Sequence, residues 1–555
     1  MYITQTTAPS KSGQSYVCTL LRESYREGGV VKNRTIANLS HCKPEEISAL
    51  RLALEHKGNL AELGSIEDSV RLQEGPSVGA VWTVYTVAKR LGIEKALGAE
   101  SAGKLALWQV IARTVDQGSR LSAVRLAQTH AACDVLGMSR GFDENDLYDN
   151  LGWLQEHQSQ IELSLFRTRR KGKEKQKELF LYGVTSSYFE GVCNALADWG
   201  YNRDGKKGKK QVVVGLLCDE LGEPVSVEVF PGNTSDLKTF ANQIAKVTSR
   251  FGCQRVTMVG DRGMIKSAQI EQLKELEGFY YITALTKPQI ETLIHGGVVQ
   301  LSWFDEKICE VENDGVRYVL RRNPQRVEDL KRNRRDKHSS VSRLLGKKNS
   351  YLAEHARAKM DVAQREVASK IVQLKLAGWL KVQAADRELR LEEDNQALAE
   401  ASRLDGCYVV KSDLPKQYAD AQTLHDRYKD LTLVEQAFRT SKTVHLEMRP
   451  WHVRLERNTR GHALVVMLAY LIVRHLRQAW ADLDLTVEEG LEQLTTLCAT
   501  EILVKGKVRC NQIPIPRDLS QKLLRAADLH LPEALPHLGA RVVTRRKLTE
   551  RRVKR

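Results

Sequence analysis

No Cys-x2-Cys pair occurs among the ten cysteines of this 555-residue chain. Structural zinc sites and disulfide frameworks both rest on paired or regularly spaced cysteines, so neither is expected. Several thiols sit inside apolar, strand-like runs, where free cysteine packs as a small hydrophobe. A reducing cytoplasm fits that usage. The leading MYITQTTAPSKSGQ has no apolar h-region, so no signal peptide is expected. The longest apolar run, Ala463 to Val473, is too short to cross a bilayer core of about 30 Å. It reads as a buried core helix, and no membrane partner is expected. Internal repeats are absent too.

Positive charge, by contrast, is abundant. Lys+Arg number 85 against 69 Asp+Glu, a net +16 with a pI near 9.3. That balance points to a polyanionic partner without by itself naming nucleic acid. The charge gathers at Arg167 to Lys177, Lys206 to Lys210, Arg321 to Lys348 and Arg545 to Arg555. Any one cluster could be a solvated face or tail; four in one chain favour a DNA track.

Taken in order, residues 15–21 and 29–38 read as a β-hairpin joined by REGG, followed by a helix from Pro44 to about His56. Residues 1–72 form this first module. From Pro76 to about Phe166 the pattern is helical, with Trp82, Tyr85, Trp108 and Trp153 assigned to its core. This 73–176 segment is either a DNA-binding or dimerisation domain or a packing domain. Strand-like texture then begins: 178–191, 211–218, 225–230, 256–259 and 279–285, with helices after 237 and after the GDRG at 260–263. Three strands in a meander, then helix, strand, helix, strand, is the order of a ribonuclease H-like sheet. Residues 287–405 interrupt it with a long helical pair (about 324–376) and a hairpin (379–392). The fold expected is thus a multidomain α+β or α/β chain. Its ribonuclease H-like core (177–286 and 406–480) is interrupted by an insertion domain and preceded by a helical domain. Residues 481–555 are read as one amphipathic helix and a basic tail.

The stretch YKDLTLVEQAFRTSK (428–442) is the one around which the rest of the chain can be organised. Leu431, Val434 and Phe438 recur at helical spacing, and no Gly or Pro interrupts. Tyr428, Glu435 and Lys442 fall seven apart, on nearly one line of a helix, and Arg439 lies four after Glu435. On spacing alone, a surface helix with one Glu–Arg pair explains this equally well. The pattern Tyr-x2-Leu-x3-Glu-x6-Lys, however, resembles the Y-x2-R-x3-E-x6-K signature of DDE transposases from bacterial insertion sequences, with Leu431 at the Arg position. VGDRGM, with Asp261 ending a buried strand, resembles the context of that family's second Asp. LYGVTSSYFEG resembles its first-strand motif LYDVTSSYxEG, but Gly183 stands where the first Asp belongs. Asp204, Asp219 and Asp236 are weaker candidates for a substitute acid.

The resemblance implies that Asp261 and Glu435 are catalytic and metal-binding, with Mg2+ as cofactor and Mn2+ as a substitute. Two such ions about 3.5–4 Å apart need hard oxygen ligands, which is why the family carries three acids. It implies hydrolysis of a phosphodiester at the element end, then transesterification into target DNA, by a homodimer bound to terminal inverted repeats in the bacterial cytoplasm, at the nucleoid. Arg439 and Lys442 are expected on DNA phosphates, with Tyr428 against the DNA end. Lys206, Lys207, Lys209 and Lys210 in the loop GKKGKK are expected on the backbone. Gly183 removes one charged ligand, so the expectation is a transposase with impaired catalysis. The alternatives are a non-catalytic DNA-binding derivative and a nuclease on the same fold. His445, His452 and His462 fit no zinc spacing and are read as core or DNA-contacting. Asn233 and Thr234 are read as a turn and cap.

Overall fold

The computed structural model describes residues 1–9, 15–58, 70–170, 178–191, 193–305, 307–443, 446–449, 451–504 and 507–545. The basic stretch at 171–177, the tail at 546–555 and His445 lie outside the described residues.

The chain opens with an antiparallel sheet of β1 (Tyr2–Pro9), β2 (Ser15–Glu27) and β3 (Val30–Asn38). Gly28 and Gly29 turn the β2–β3 hairpin with φ of 60° and 82°, a left-handed pair that suits a two-residue loop. β1 goes beyond the two strands expected, because YITQTTAP lacks the apolar alternation that marks a half-buried strand. After α1 (Pro44–Glu55) and β4 (Val70–Ser77) come the helices α2 (Gly79–Arg90), α3 (Ile93–Leu97), α4 (Ser101–Val115), α5 (Arg120–Thr129), α6 (Ala132–Leu136) and α7 (Glu144–Arg170). Trp108 is fully buried among them, and Trp82, Tyr85 and Trp153 pack half-buried on the same core.

The main sheet begins with the meander β5 (Glu178–Tyr188), β6 (Gln211–Cys218) and β7 (Pro224–Pro231). Every residue of β6 is buried, which is why QVVVGLLC reads as a continuous apolar run. α8 (Asp236–Ala245), extended by a π turn at Lys246–Arg250, leads to β8 (Val256–Gly260). α9 (Ser267–Lys274) then leads to β9 (Phe279–Ala284). In space these strands run β7-β6-β5-β8-β9, with β5, β8 and β9 mutually parallel, the ribonuclease H-like arrangement. α10 (Lys287–His295), β10 (Cys309–Asn313) and β11 (Val316–Arg322) follow.

Next come α11 (Pro324–Glu354), α12 (Met360–Gln373), the hairpin β12 (Leu380–Ala385) and β13 (Glu388–Glu393), and α13 (Asn395–Ser402). The helical pair and hairpin close on their own core of Val341, Leu352, Val367, Ile371, Trp379 and Leu389. β14 (Cys407–Ser412) returns to the sheet beside β9, and β11 and β10 extend it beyond β14. Part of the interrupting segment is therefore sheet. Its signal was Asp314-Gly315, both at positive φ (53° and 72°), a hairpin dipeptide between two charged strands.

After α14 (Ala421–Lys429) and α15 (Leu431–Lys442) comes α16 (Glu456–Ala479), buried without a break from Gly461 to Val473. It packs on α4 and α7 with one face and on β7 and α15 with others. At Gly461 a Cβ would collide with the backbone of Leu151, so glycine there sets how closely α16 and α7 cross. Through α16 the helical region and the sheet share one hydrophobic cluster. The remainder of the chain, read as one helix and a tail, holds more: α17 (Val487–Thr495), β15 (Cys498–Val504), β16 (Lys507–Gln512), α18 (Asp518–Ala526) and β17 (Ala534–Pro536). The strands join β4 in a sheet of order β17-β16-β15-β4. Among the described residues no helix is long and apolar enough to cross a membrane.

Candidate functional site

Parallel pairing of β5 with β8 sets Tyr182 against Gly260 in the last registered pair. The next residue on each chain segment is Gly183, still on β5, and Asp261, just past the end of β8, so both follow directly on the last pair of this ladder. Asp261 is exposed. Its Oδ1 accepts the backbone N–H of Arg262 at 2.8 Å and the phenol O–H of Tyr428 at 3.2 Å. Burial, then the charge of Asp261, raises the Tyr428 pKa above its ordinary value, with the charge of Glu435 adding to the shift. Both carboxylates therefore act on the Tyr428 ring.

Tyr428 and Glu435 do not share one helix, as their spacing suggested. The helix bends at Asp430, which ends α14 and begins α15. α15 lies on β5 with Val434 and Phe438 directly over Gly183. Glu435 and Arg439 are exposed on its outer side and line a 310 Å3 groove with Thr185, Arg203, Asp204 and Lys442.

Lys442, expected on DNA phosphate, is buried and held inside the protein. Its Nζ donates to Ser186 O (2.6 Å) and Thr185 Oγ1 (3.1 Å) and pairs with Asp204 Oδ1 at 2.5 Å. Burial pulls its pKa down, opposed by Asp204. Asp204 is also paired with Arg449 (2.7 Å) and accepts the Tyr188 N–H (3.1 Å), so its oxygens are engaged. Asp236 is gripped by Arg203 through both oxygens at 2.7 Å, and Asp219 accepts Leu221 and Glu223 N–H groups within its own turn. None of the three stands free as a substitute for the first acid.

Lys206, Lys207, Lys209 and Lys210 are all exposed. Lys206 lies over the Tyr188 ring at 5.7 Å and Lys209 pairs with Glu190 at 3.4 Å. Sequence reasoning missed the aromatics of this loop: Trp199 is 59% exposed and Tyr201 81%. Exposed rings interleaved with lysines are the composition that binds single strands by stacking, a signal visible in DWGYNRDGKKGKK. Asn233 donates to Asp198 (2.7 Å), holding the base of the loop.

Two family models match the sequence. One, described as "IS1634 family transposase, N-terminal domain", covers residues 3–67. The other, described as "Transposase DDE domain", covers 164–472, more than half of the chain. The chain belongs to the DDE transposase family. It is an insertion-sequence transposase, of a family whose activity is polynucleotidyl transfer. Among solved structures, the cryo-EM structure of the piggyBac transposase synaptic complex with hairpin DNA matches at 6% identity and a TM-score of 0.33. That match covers 81% of this chain and 75% of that one, a likeness too distant to carry an inference. No curated protein matches.

DDE transposases generally work with divalent metal ions, and the donor set here can be tested against that need. Asp261 and Glu435 supply hard oxygens, but the neighbouring β5 position supplies none. Among the described residues no group of three or more His, Cys, Asp or Glu is placed to hold a metal. Of the three acid positions that the resemblance implies, Asp261 and Glu435 carry carboxylates and Gly183 carries no side chain.

Proposed function

We propose that this transposase binds the terminal inverted repeats of its own element and target DNA but cleaves and joins them poorly. The observation that carries this is Gly183, one residue past the Tyr182–Gly260 pair as Asp261 is on the neighbouring strand, and under the helix that bears Glu435. In this reading Asp261 and Glu435 remain the catalytic and metal-binding pair for Mg2+ or Mn2+. Tyr428 orients the Asp261 carboxylate through its hydrogen bond. Arg439 meets a backbone phosphate. Lys442 does so only after release from Asp204, and until then it braces α15 on β5. The four lysines at 206–210 supply salt-dependent affinity, and Trp199 and Tyr201 offer stacking faces. The working unit is a homodimer in the bacterial cytoplasm.

A labelled element end, incubated with Mg2+ or Mn2+, tests this. Protein with Gly183 should bind the end yet yield far less cleaved and joined product than the Gly183→Asp variant. Equal yields from the two would overturn the impairment. Binding with no product from either would favour the second reading that Gly183 supports, a non-catalytic derivative. Cleavage without joined ends would mark a nuclease.

A further inference from the structure

Beside the helical region lies a cavity of about 600 Å3, walled by α4, α5, α7 and the segment that enters α16. Arg113, Arg120, Arg449, Arg454 and Arg457 line it against two exposed acids, Asp149 and Glu447. Arg113 and Arg120 are 5% and 6% exposed. Arg113 donates to the carbonyl oxygens of Gln117, Gly118 and Leu446, and Arg120 to Gln109 and to His462 Nδ1. Neither guanidinium has an ion-pair partner within 4 Å among the described residues. Burial pulls Arg113 down to about 10 against the opposing charges of Asp116 and Glu447; burial and the Arg113 charge pull Arg120 down to about 9. Burial, with both arginines, holds His462 well below its ordinary value, hence neutral. Positive charge is thus taken out of water without a counter-charge in contact, an unfavourable state that an anion would relieve.

Three further atoms await a partner. Arg113 Nε, Trp451 Nε1 and Asn458 Oδ1, on three residues that line this cavity, are buried and have no hydrogen-bond partner among the described residues. Trp451 and Asn458 are 1% and 6% exposed. α16 starts here as well, without a side-chain cap at Leu455, leaving first-turn N–H groups and the positive end of a 24-residue helix.

We propose that this cavity is a phosphate-ester site, and that in the assembled complex it holds a backbone phosphate of DNA. This rests on the DNA-binding reading above. Arg449 lines both this cavity and the Glu435 groove, so a strand crossing the groove would carry its next phosphates towards Arg454 and Arg457. A free nucleotide has the same chemistry, and the experiment separates the two sources.

The test uses the full chain and two variants. Arg454→Gln/Arg457→Gln neutralises exposed rim charges, and Trp451→Phe keeps the ring while removing one N–H. Labelled oligonucleotides are titrated across salt concentrations, and deoxynucleoside monophosphate and inorganic phosphate are titrated by calorimetry. The double variant should bind DNA on the order of tenfold more weakly, with a log–log salt slope shallower by about 2. Trp451→Phe should weaken binding several-fold with the slope unchanged, since a neutral donor releases no counterion. DNA binding by the parent that neither variant alters overturns the cavity while leaving the DNA-binding reading standing. Arginine-dependent nucleotide binding without DNA binding supports the phosphate-ester site with a free nucleotide as its occupant, and fails the proposed function. Binding of none of these probes overturns both.

Discussion

A Cβ at position 183 would come within 2.7 Å of Val434 Cγ1 and 3.4 Å of Phe438 Cε2. Two effects compete there. Replacing a strand glycine with alanine gains about 0.5–1 kcal/mol of backbone entropy. Overpacking against a β-branched side chain with one preferred rotamer loses about 1–3 kcal/mol. The second wins, so Gly183→Ala should lower stability to urea by about 1 kcal/mol or more, and adding Val434→Ala should recover most of it. For the same reason Gly183→Asp should restore less cleavage alone than with Val434→Ala beside it, compared as initial rates on one substrate. At this scale the sequence was informative about Asp261 and Glu435, whose side chains stand at a strand end and on a helix face. The partner of Lys442 was not legible, because Asp204 lies 238 positions earlier in a loop whose path no local pattern sets.

Loop 198–210 and α15 are fastened together by that pair. Asp204 is buried, with 1% of its side chain exposed, and answers two cations, Lys442 and Arg449. Removing it strands both, and breaking a buried pair typically loses about 3–5 kcal/mol. Lys442→Ala leaves Asp204 still paired with Arg449. Asp204→Ala should therefore unfold at lower denaturant than Lys442→Ala, and a double-mutant cycle should show strong coupling between the two. Among the elements, the strands from 178 to 285 were readable because each is an apolar run closed by turn residues. The bend at Asp430 was not. No glycine or proline marks it, and it arises from a tightened turn in which Leu433 N–H reaches Asp430 O at 2.9 Å. β15 and β16 were missed for another reason: CATEILV and KVRCNQ carry weak alternation, and their pairing with β4 is long-range.

Across the whole molecule the net charge of +16 is carried in patches, and the lysine loop is one whose four lysines are all exposed. Neutralising Lys206, Lys207, Lys209 and Lys210 together should reduce the log–log salt slope of DNA binding by about 2–4, fewer than four contacts being lost if Lys209 stays with Glu190. An unchanged slope would remove this loop from the DNA path. Charge and core also explain why domain limits were hard to read: α16 serves the helical region and the sheet at once, so its apolar run could not be allotted to either. The β4–β15 ladder has a temporal corollary. Gln73 Nε2 reaches Glu501 Oε2 at 2.5 Å, 428 residues later. At about 5–20 residues per second on the ribosome, β4 must wait roughly 20–90 s for its neighbour to be made. Throughout that interval a nascent edge lies open, and a chaperone or a second nascent copy could occupy it first.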